Sequence, residues 1–171
     1  MTSTRQSRES RKGDADAGPG PALRPLLAAD VMTHDPIIVT PESKILGALA
    51  MMRAHDFRHL MVVAENMLVG VLSNRDYRRV LERLNPGGVA PDLRNIPIAE
   101  IMTPAARVIT ASLDTPLLNV AQLMVLRKVG CIPVLDDTHR LVGLLTHKDV
   151  LRVLTERLLA HPSALHLPTE A

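Results

Sequence analysis

Short apolar runs alternate with longer stretches of helical spacing along most of this chain. Stretches 45–54 and 117–127 have the length and apolar spacing of helices. The runs around them are short and rich in valine and leucine, which is typical of buried strands. The strands predicted in this way are 36–39, 59–63, 68–72, 108–109, 131–135 and 141–145, and the further helices are 74–84 and 147–159. The alternation of strands with helices predicts an α/β (α+β) fold.

The pattern occurs twice. Segment ADVMTHDPIIVT at 29–40 returns as AEIMTPAARVIT at 99–110, and LVGVLSNRD at 68–76 returns as LVGLLTHKD at 141–149. The offset between the copies is slightly larger in the second match than in the first, which indicates two small insertions. Each copy is a β-α-β-β-α unit. Because a unit of about 60 residues buries little surface by itself, two copies are expected to pack together.

These patterns divide the chain into five segments. Residues 1–24 carry scattered basic side chains among Ser, Gly, Ala and Asp, without apolar periodicity, and are expected to form a flexible N-terminal tail. Residues 25–85 form the first repeat. A linker rich in proline and glycine is expected at 86–97, followed by the second repeat at 98–160 and a C-terminal tail at 161–171.

Composition limits the class of protein. Phe57 and Tyr77 are the only aromatic residues, so the core must be aliphatic. With 20 basic and 18 acidic side chains and no aromatic platform, nucleic acid is not an expected partner. No apolar run approaches the roughly 20 residues that cross a bilayer, and the first residues do not resemble a signal peptide. The lone Cys131 has no second cysteine for an internal disulfide. We therefore expect a cytoplasmic protein that does not bind membranes.

The repeated motifs resemble those of a known family. The motifs follow one another in a fixed order, namely [VI]-M-T, a helix, a strand of the type IPVLD at 132–136, and L-V-G-h-h-[ST]-x-x-D, in which h is an apolar residue. This order is similar to that of the CBS domain, the repeat first described in cystathionine β-synthase. The resemblance covers about residues 25–160 and implies two tandem β-α-β-β-α CBS repeats packed as a pseudo-two-fold pair, also called a Bateman module. The first copy departs from the family pattern at Met61, where proline is usual, and in its strand connection AENM.

The resemblance implies a regulatory module and not an enzyme. In the family, a cleft between the repeats binds an adenosine-containing ligand such as AMP, ADP, ATP or S-adenosylmethionine, and no cofactor or metal is required. Signalling is expected through self-association or through a separate protein effector. Segment 117–126 has eight apolar residues in ten, so this helix is expected to be buried on more than one face. The family commonly pairs through such helices, and we expect a homodimer.

Two short motifs lie where a strand is predicted to end and a helix to begin, SNRD at 73–76 and THKD at 146–149. Unpaired backbone N–H groups and the helix dipole favour an anion there. One interpretation is a capping box, which needs no ligand. The other is that Asp76 and Asp149 accept hydrogen bonds from ribose hydroxyls, as carboxylates do in dinucleotide folds. In that case the residues facing phosphate would be Ser73, Arg75, Thr146 and Lys148.

In the family each nucleotide site is shared, because one repeat supplies the M-T segment and first strand and the other supplies the Ser/Thr-x-x-Asp motif. Matching positions imply one site of Thr33, Ile37 and Ile38 with Thr146 and Asp149. The second site would join Thr103 and Val108 with Ser73 and Asp76. The residues just before each second strand are also expected to line the cleft, namely Phe57, Arg58, His59, Val129, Gly130 and Cys131.

Three alternatives accompany this hypothesis. His55 and His59 are four residues apart, a spacing that suits zinc on a continuous helix. However, the helix is predicted to end between them, so a structural or phosphate-facing role is expected. Paired Asp, Ser and His side chains would suit nucleotide hydrolysis, but no nucleophile with an oriented base and no P-loop is present in the sequence. A ligand-free interaction scaffold is the third alternative.

Overall fold

The computed structural model describes residues 24–84 and 93–160. Within these two ranges, eight strands form two four-stranded sheets, and five helices pack around them. Residues 1–23 of the tail predicted at 1–24, the tail predicted at 161–171, and residues 85–92 around the start of the linker lie outside the described residues. None of the helices within the two ranges has the length and apolar character needed to cross a bilayer.

Each repeat contributes one half of the elements. The first contains α1 (Ala28–Val31), β1 (Thr33–His34), β2 (Ile38–Val39), α2 (Ile45–Ala54), β3 (His59–Ala64), β4 (Met67–Ser73) and α3 (Asn74–Leu84). The second contains β5 (Thr103–Pro104), β6 (Ala111–Ser112), α4 (Leu117–Arg127), β7 (Cys131–Leu135), β8 (Leu141–Thr146) and α5 (His147–Ala160), with 3-10 turns at Ile98–Glu100 and Ala105–Arg107. The predicted fold class of two mixed α and β repeats is confirmed.

The prediction of a strand at 108–109 is wrong, because the strand of this part of the chain is β6 at Ala111–Ser112. Val39 pairs with Val62 in the first repeat, and Ala111 pairs with Val134 in the second, so Val39 and Ala111 are equivalent. The second repeat therefore has a small insertion between its M-T segment and this strand. The insertion falls where the second repeat forms the turn Ala105–Arg107. The strand predicted at 36–39 is also shorter, since it begins at Ile38.

The two repeats exchange a strand. The sheet of the first repeat has the order β2-β3-β4-β5, and the sheet of the second has the order β1-β8-β7-β6. Thr33 of β1 lies opposite Leu144 of β8, and Thr103 of β5 lies opposite Val71 of β4, both in antiparallel pairing. Each M-T segment therefore completes the sheet of the other repeat.

The glycines of the two L-V-G motifs make this exchange possible. A Cβ atom at Gly70 would lie 2.5 Å from Met102 Sδ and 2.8 Å from the carbonyl oxygen of Thr103. A Cβ atom at Gly143 would overlap Met32 Sδ and lie 2.9 Å from Met32 Cγ. The methionine of each M-T segment thus packs over the backbone of a glycine in the opposite repeat, where no other residue leaves room.

Buried side chains form one core in each repeat and one between them. Val120, Met124 and Ile132 are among the residues of the second core, and Ala48, Met52 and Leu60 are their counterparts in the first. The third cluster consists of Met61, Leu68, Val71 and Cys131, and it joins β3 and β4 to β7. The two repeats therefore share apolar burial as well as strands, as expected for units too small to fold apart.

The strand connection AENM forms a tight hairpin although it lacks the usual acidic and glycine residues. Glu65 and Asn66 have φ values of 50° and 64°, the left-handed region that a type I′ hairpin turn requires at both central positions. In the second repeat the Asp136 carboxylate accepts hydrogen bonds from the backbone N–H groups of Thr138 and Arg140, both at 2.9 Å. Met61, at the position of the family proline, is fully buried in the shared core.

We expect Gly70→Ala to lower the free energy of unfolding by about 1–3 kcal/mol, the usual cost of forcing a methyl group into packed structure. The new Cβ would meet the backbone of Thr103, which cannot rotate away. Gly47→Ala is the matched control, because nothing lies within 4 Å of its Cβ position in α2. That change should raise stability by about 0.5–1 kcal/mol. Urea unfolding measures both, and equal effects of the two changes would contradict the packing argument.

Candidate functional site

Each Ser/Thr-x-x-Asp motif closes a hydrogen-bonded cap at the start of a helix. The backbone N–H and Oγ of Ser73 donate to Asp76 Oδ2 at 2.9 and 2.6 Å. The backbone N–H and Oγ1 of Thr146 donate to Asp149 Oδ2 at the same two distances. The backbone N–H of Asp76 donates in turn to Ser73 Oγ at 3.4 Å. The structure thus contains the reciprocal capping box of the first interpretation at Ser73 and Asp76, and its carboxylate half at Thr146 and Asp149.

The second oxygen of each carboxylate is less engaged. Asp76 Oδ1 lies 3.9 Å from the Arg79 guanidinium, and Asp149 Oδ1 lies 3.9 Å from the Arg152 guanidinium. The two distances are within the range of ion pairs but are too long for direct hydrogen bonds. Each Oδ1 therefore keeps the capacity to accept a hydrogen bond from a ligand while Oδ2 holds the helix start.

A groove of about 520 Å³ lies beside Asp76. Asp76 and Val80 come from α3 of the first repeat, and Thr103 comes from the exchanged strand β5 of the second. The complete lining is Asp76, Arg79, Val80, Glu82, Glu100, Ile101, Met102, Thr103 and Arg107. The structure thus brings Asp76 and Thr103 together, as the shared-site hypothesis expects. The volume lies within the range of small-molecule sites, about 300–1,000 Å³.

Several lining residues were not predicted from the sequence. Arg79 is three residues after Asp76, so it lies one helical turn along α3 and on the same face. Arg107 belongs to the turn that distinguishes the second repeat from the first. The insertion in the second repeat marks the position of Arg107 in the sequence. Arg79 gives no comparable signal, because an arginine at its position is typical of a solvated helix face.

The other predicted site lies on the opposite sheet. Thr33 in β1 pairs with Leu144, two residues before Thr146 in β8. The chain then passes from the second sheet to the first through Ile37 and Ile38, whose exposed fractions are 36% and 53%. These two apolar side chains are therefore accessible on the segment that follows β1.

Three predicted cleft residues contribute to packing. Val108 packs against the cluster between the repeats, and Val129 packs against the core of the second repeat. Cys131 is 8% exposed in the shared cluster, and burial raises the pKa of its thiol to about 12. The thiol is therefore neutral at physiological pH, without the thiolate that nucleophilic chemistry needs.

The His59 ring reaches from the first repeat to the second. A Cβ atom at Gly130 would lie 3.0 Å from His59 Cε1 and 3.2 Å from Nε2, so the ring occupies the space that Gly130 leaves open. Burial lowers the pKa of His59, and the positive charges of Arg58 and Arg75 lower it further. His147 also lowers this pKa, whereas the negative charge of Asp76 opposes the shift. The ring therefore stands among charged groups of both repeats.

The remaining predicted residues are exposed around this contact. Phe57 is 38% exposed, and its ring stacks on His55 with centroids 5.5 Å apart. Arg58, Arg75 and Lys148 are exposed at the starts of α3 and α5 or just before β3. His55 and His59 thus contact different neighbours. Within residues 24–84 and 93–160, no three His, Cys, Asp or Glu side chains are grouped as a metal site requires.

The two repeats exchange strands and share a core, and a capped carboxylate of one repeat lies beside the M-T segment of the other. Together the repeats form a paired module with a cleft between its halves. The family model of the CBS domain matches residues 28–83 and 98–156. The chain therefore belongs to the CBS domain family and contains two CBS domains, which confirms the resemblance found in the motifs.

Relatives of this chain agree with that assignment. It is 33% identical over 129 residues to protein MJ1225 of Methanocaldococcus jannaschii, covering 72% of this chain but only 45% of that relative. The CBS domain pair of protein MJ0100, solved with 5′-methylthioadenosine and S-adenosyl-L-methionine, is 30% identical with a TM-score of 0.66, covering 78% of this chain and 98% of that one. The cytosolic domain of the Mg2+ channel MgtE, solved with ATP, is 33% identical with a TM-score of 0.59, covering 74% and 48%.

The pKa of His59 predicts how stability depends on pH. Because the folded protein binds the His59 proton less readily than the unfolded chain, the free energy of unfolding should fall as pH decreases below about 6.5, the ordinary histidine value. The stability that the protein gains from keeping the His59 ring neutral is fully present above that pH. His59→Gln should remove this part of the pH dependence in urea unfolding between pH 5 and 8. His34→Gln, at an exposed histidine, is the control, and equal pH slopes for wild type and His59→Gln would contradict the assignment.

Proposed function

We propose that this protein is a regulatory sensor that binds an adenosine-containing ligand in the cleft between its two CBS domains. The observation that carries the proposal is the groove beside Asp76. It is lined by the carboxylate of one repeat, which is suited to accept hydrogen bonds from ribose, and by the M-T segment of the other repeat. Two similar structures were solved with adenosine compounds, namely the CBS domain pair of protein MJ0100 with 5′-methylthioadenosine and S-adenosyl-L-methionine, and the cytosolic domain of the Mg2+ channel MgtE with ATP. AMP, ADP, ATP and S-adenosylmethionine are therefore the ligands to test.

Each part of the groove has a chemical counterpart in such a ligand. Asp76 Oδ1 accepts hydrogen bonds from the ribose hydroxyls while Oδ2 remains in the helix cap. The side chains of Val80, Ile101 and Met102 offer an apolar surface for the base. Arg107, across the groove from α3, adds a positive charge for a phosphate group. Asp149 and Thr33 take the corresponding roles in the second site.

We propose further that the two sites differ in their preference for phosphate. The first repeat places the guanidinium groups of Arg58 and Arg75 near enough to the His59 ring to lower its pKa. The equivalent positions of the second repeat hold Gly130 and Lys148. A guanidinium binds two phosphate oxygens at once, which an ammonium group does less well. Ligands with more phosphate groups should therefore prefer the site that contains Asp76.

Self-association is the proposed means of signalling, with a separate protein effector as the alternative. Leu118, Val125 and Leu126 of α4 are exposed although they are apolar. These residues agree with the expectation that the helix has a second face to bury, and they favour a homodimer. Leu123, in contrast, packs against the core of the second repeat, so its substitution would disturb the fold rather than the association.

A ligand-free scaffold is the second candidate function, because both carboxylates hold the start of a helix without a ligand. The two candidates differ in thermal unfolding. A sensor gains stability with an adenosine compound, whereas a scaffold does not. Turnover of the added nucleotide would instead indicate an enzyme.

The carboxylates provide the first test. A ligand at about a hundred times its dissociation constant should add about 2.7 kcal/mol of stability if it binds only the folded state. Asp76→Asn combined with Asp149→Asn should remove most of that gain, measured by thermal unfolding with and without ligand and by calorimetric titration. Comparing the gain, rather than the absolute stability, separates binding from the weakened helix caps. Asp136→Asn, in the β7–β8 turn, is the control. Equally tight binding by the double variant would show that both motifs are helix caps alone.

Arg58 provides the test of site inequality. Arg58→Ala should weaken ADP and ATP binding by about tenfold or more, because a charge-assisted hydrogen bond contributes about 1.5–3 kcal/mol. Adenosine binding should change little. Titration of adenosine, AMP, ADP and ATP measures the four affinities, and Lys148→Ala should show a smaller dependence on phosphate number. Equal losses for all four ligands would show that Arg58 shapes the cleft without holding phosphate.

A further inference from the structure

The two methionines that pack over a glycine differ in their access to solvent. Met32 lies over Gly143 and is 8% exposed, within the core of the second repeat. Met102 lies over Gly70 but is half-buried, and it belongs to the lining of the groove beside Asp76. The same kind of contact is therefore nearly closed to solvent in one half of the molecule and borders a groove in the other.

The other methionines of the described ranges have different surroundings. Three of them are at most 2% exposed, namely Met52, Met61 and Met124. Met67 is 39% exposed at the start of β4. Met51 is half-buried on α2 and packs against the core of the first repeat. Among the methionines of residues 24–84 and 93–160 that are not buried, Met102 is the one whose sulfur lies over a glycine of the other repeat.

The strand that follows Met102 is short, so its position depends on this packing. Strand β5 consists of Thr103 and Pro104, and proline has no N–H to donate to the sheet. The turn Ala105–Arg107 comes directly after it and packs against β4. Thr103 and Arg107 both line the groove beside Asp76. A change at the Met102 sulfur would therefore move two residues of the groove.

We propose that Met102 is a site of reversible oxidation, at which a peroxide converts the thioether into a sulfoxide and loosens the exchanged strand β5. The sulfur donates an electron pair to one oxygen of hydrogen peroxide, and an S–O bond forms as the O–O bond breaks. The departing hydroxide takes up the proton of the transferred oxygen and leaves as water. The sulfur is oxidised and the peroxide is reduced. A methionine sulfoxide reductase reverses the change, because its dithiol becomes a disulfide and the oxygen leaves as water.

The space over Gly70 does not suit a sulfoxide. The position of a Cβ atom at Gly70 is already 2.5 Å from Met102 Sδ and 2.8 Å from the carbonyl oxygen of Thr103. The added oxygen is a hydrogen-bond acceptor, and so is this carbonyl. The sulfoxide is therefore expected to turn toward the water of the groove and to draw the sulfur away from Gly70. The same reaction at the exposed Met67 adds an oxygen that water can solvate.

The groove connects this reaction to ligand binding. An adenosine compound whose base lies on Met102 would cover the side chain and slow its oxidation, and the sulfoxide would in turn weaken binding. This connection rests on the proposed function. The oxidation of Met102 and its effect on stability do not depend on any ligand.

Graded treatment with hydrogen peroxide, followed by peptide mass spectrometry, measures the reaction at each methionine of the wild-type protein. We expect Met67 to react fastest and Met102 to react at least about tenfold faster than Met32, because burial shields a thioether from peroxide. The buried thiol of Cys131 is neutral and should react slowly. A Met102 that reacts no faster than Met32 would overturn the proposal.

Urea unfolding of the oxidised protein measures the consequence. Mild oxidation should lower the ratio of folded to unfolded protein by at least about tenfold, or about 1.4 kcal/mol, and methionine sulfoxide reductases should restore it. Met102→Leu keeps the apolar volume and should make stability insensitive to peroxide, whereas Met67→Leu should respond like wild type. An equal loss in wild type and Met102→Leu would show that another residue is responsible. The reductase treatment needs no variant, so the test does not depend on how Met102→Leu folds.

Adding AMP or ATP before the peroxide separates this proposal from the proposed function. Either ligand should slow the oxidation of Met102 and leave that of Met67 unchanged. A ligand that stabilises the protein without slowing the reaction at Met102 would overturn the connection between the groove and the oxidation. If neither compound stabilises the protein, the proposed function fails for these ligands, and the order of oxidation and the loss of stability still decide the role of Met102.

Discussion

The packing of a methionine over a glycine is the contact on which the rest of this molecule depends. Met102 lies over Gly70 and Met32 lies over Gly143, and in each case the two residues belong to different repeats. A side chain at Gly70 would meet the backbone of Thr103 and push β5 away from β4, whereas a side chain at Gly143 would first displace the Met32 side chain. The same exchange brings the M-T segment of one repeat beside the capped aspartate of the other. The fold and the proposed ligand site therefore have a common cause, the close approach of each M-T segment to the sheet of the other repeat.

The capping and ligand-binding interpretations of the aspartates are compatible because a carboxylate has two oxygens. In Asp76 one oxygen holds Ser73 at hydrogen-bond distance, and the other faces the Arg79 guanidinium at 3.9 Å. The cap fixes the rotamer of the side chain, so less conformational entropy would be lost on binding the proposed ligand. Under the proposed function, the helix cap of the free protein would thereby preorganise Asp76 for recognition.

The sequence was sufficient for the parts of the fold that depend on local pattern. The four long helices, the central strands and the two caps follow from periodicity and from the position of Ser or Thr before Asp. The two-residue strands β1 and β5 have no period to detect, because pairing with the other repeat creates them. The strand predicted at 108–109 differs from β6 because the change in offset between the repeats indicates insertions but not where they fall. The contact of His59 with Gly130 depends on a distant glycine that leaves space, which no local pattern reveals.

Duplication gave this chain two equivalent halves, and the differences between equivalent positions separate their roles. The first repeat has charged or protonatable residues where the second has small or apolar ones, both at the cleft and on the helix face. The pairs are Arg58 and Gly130, His59 and Cys131, Arg53 and Val125, and Arg78 and Leu151. Under the proposed function, phosphate recognition draws on Arg58 and Arg75 of the first repeat and on Arg107 of the second. Because β5 of the second repeat is hydrogen-bonded into the sheet of the first, a ligand bound beside Asp76 would contact both repeats. That strand is the physical connection through which occupancy of the cleft would change the free energy of both halves together.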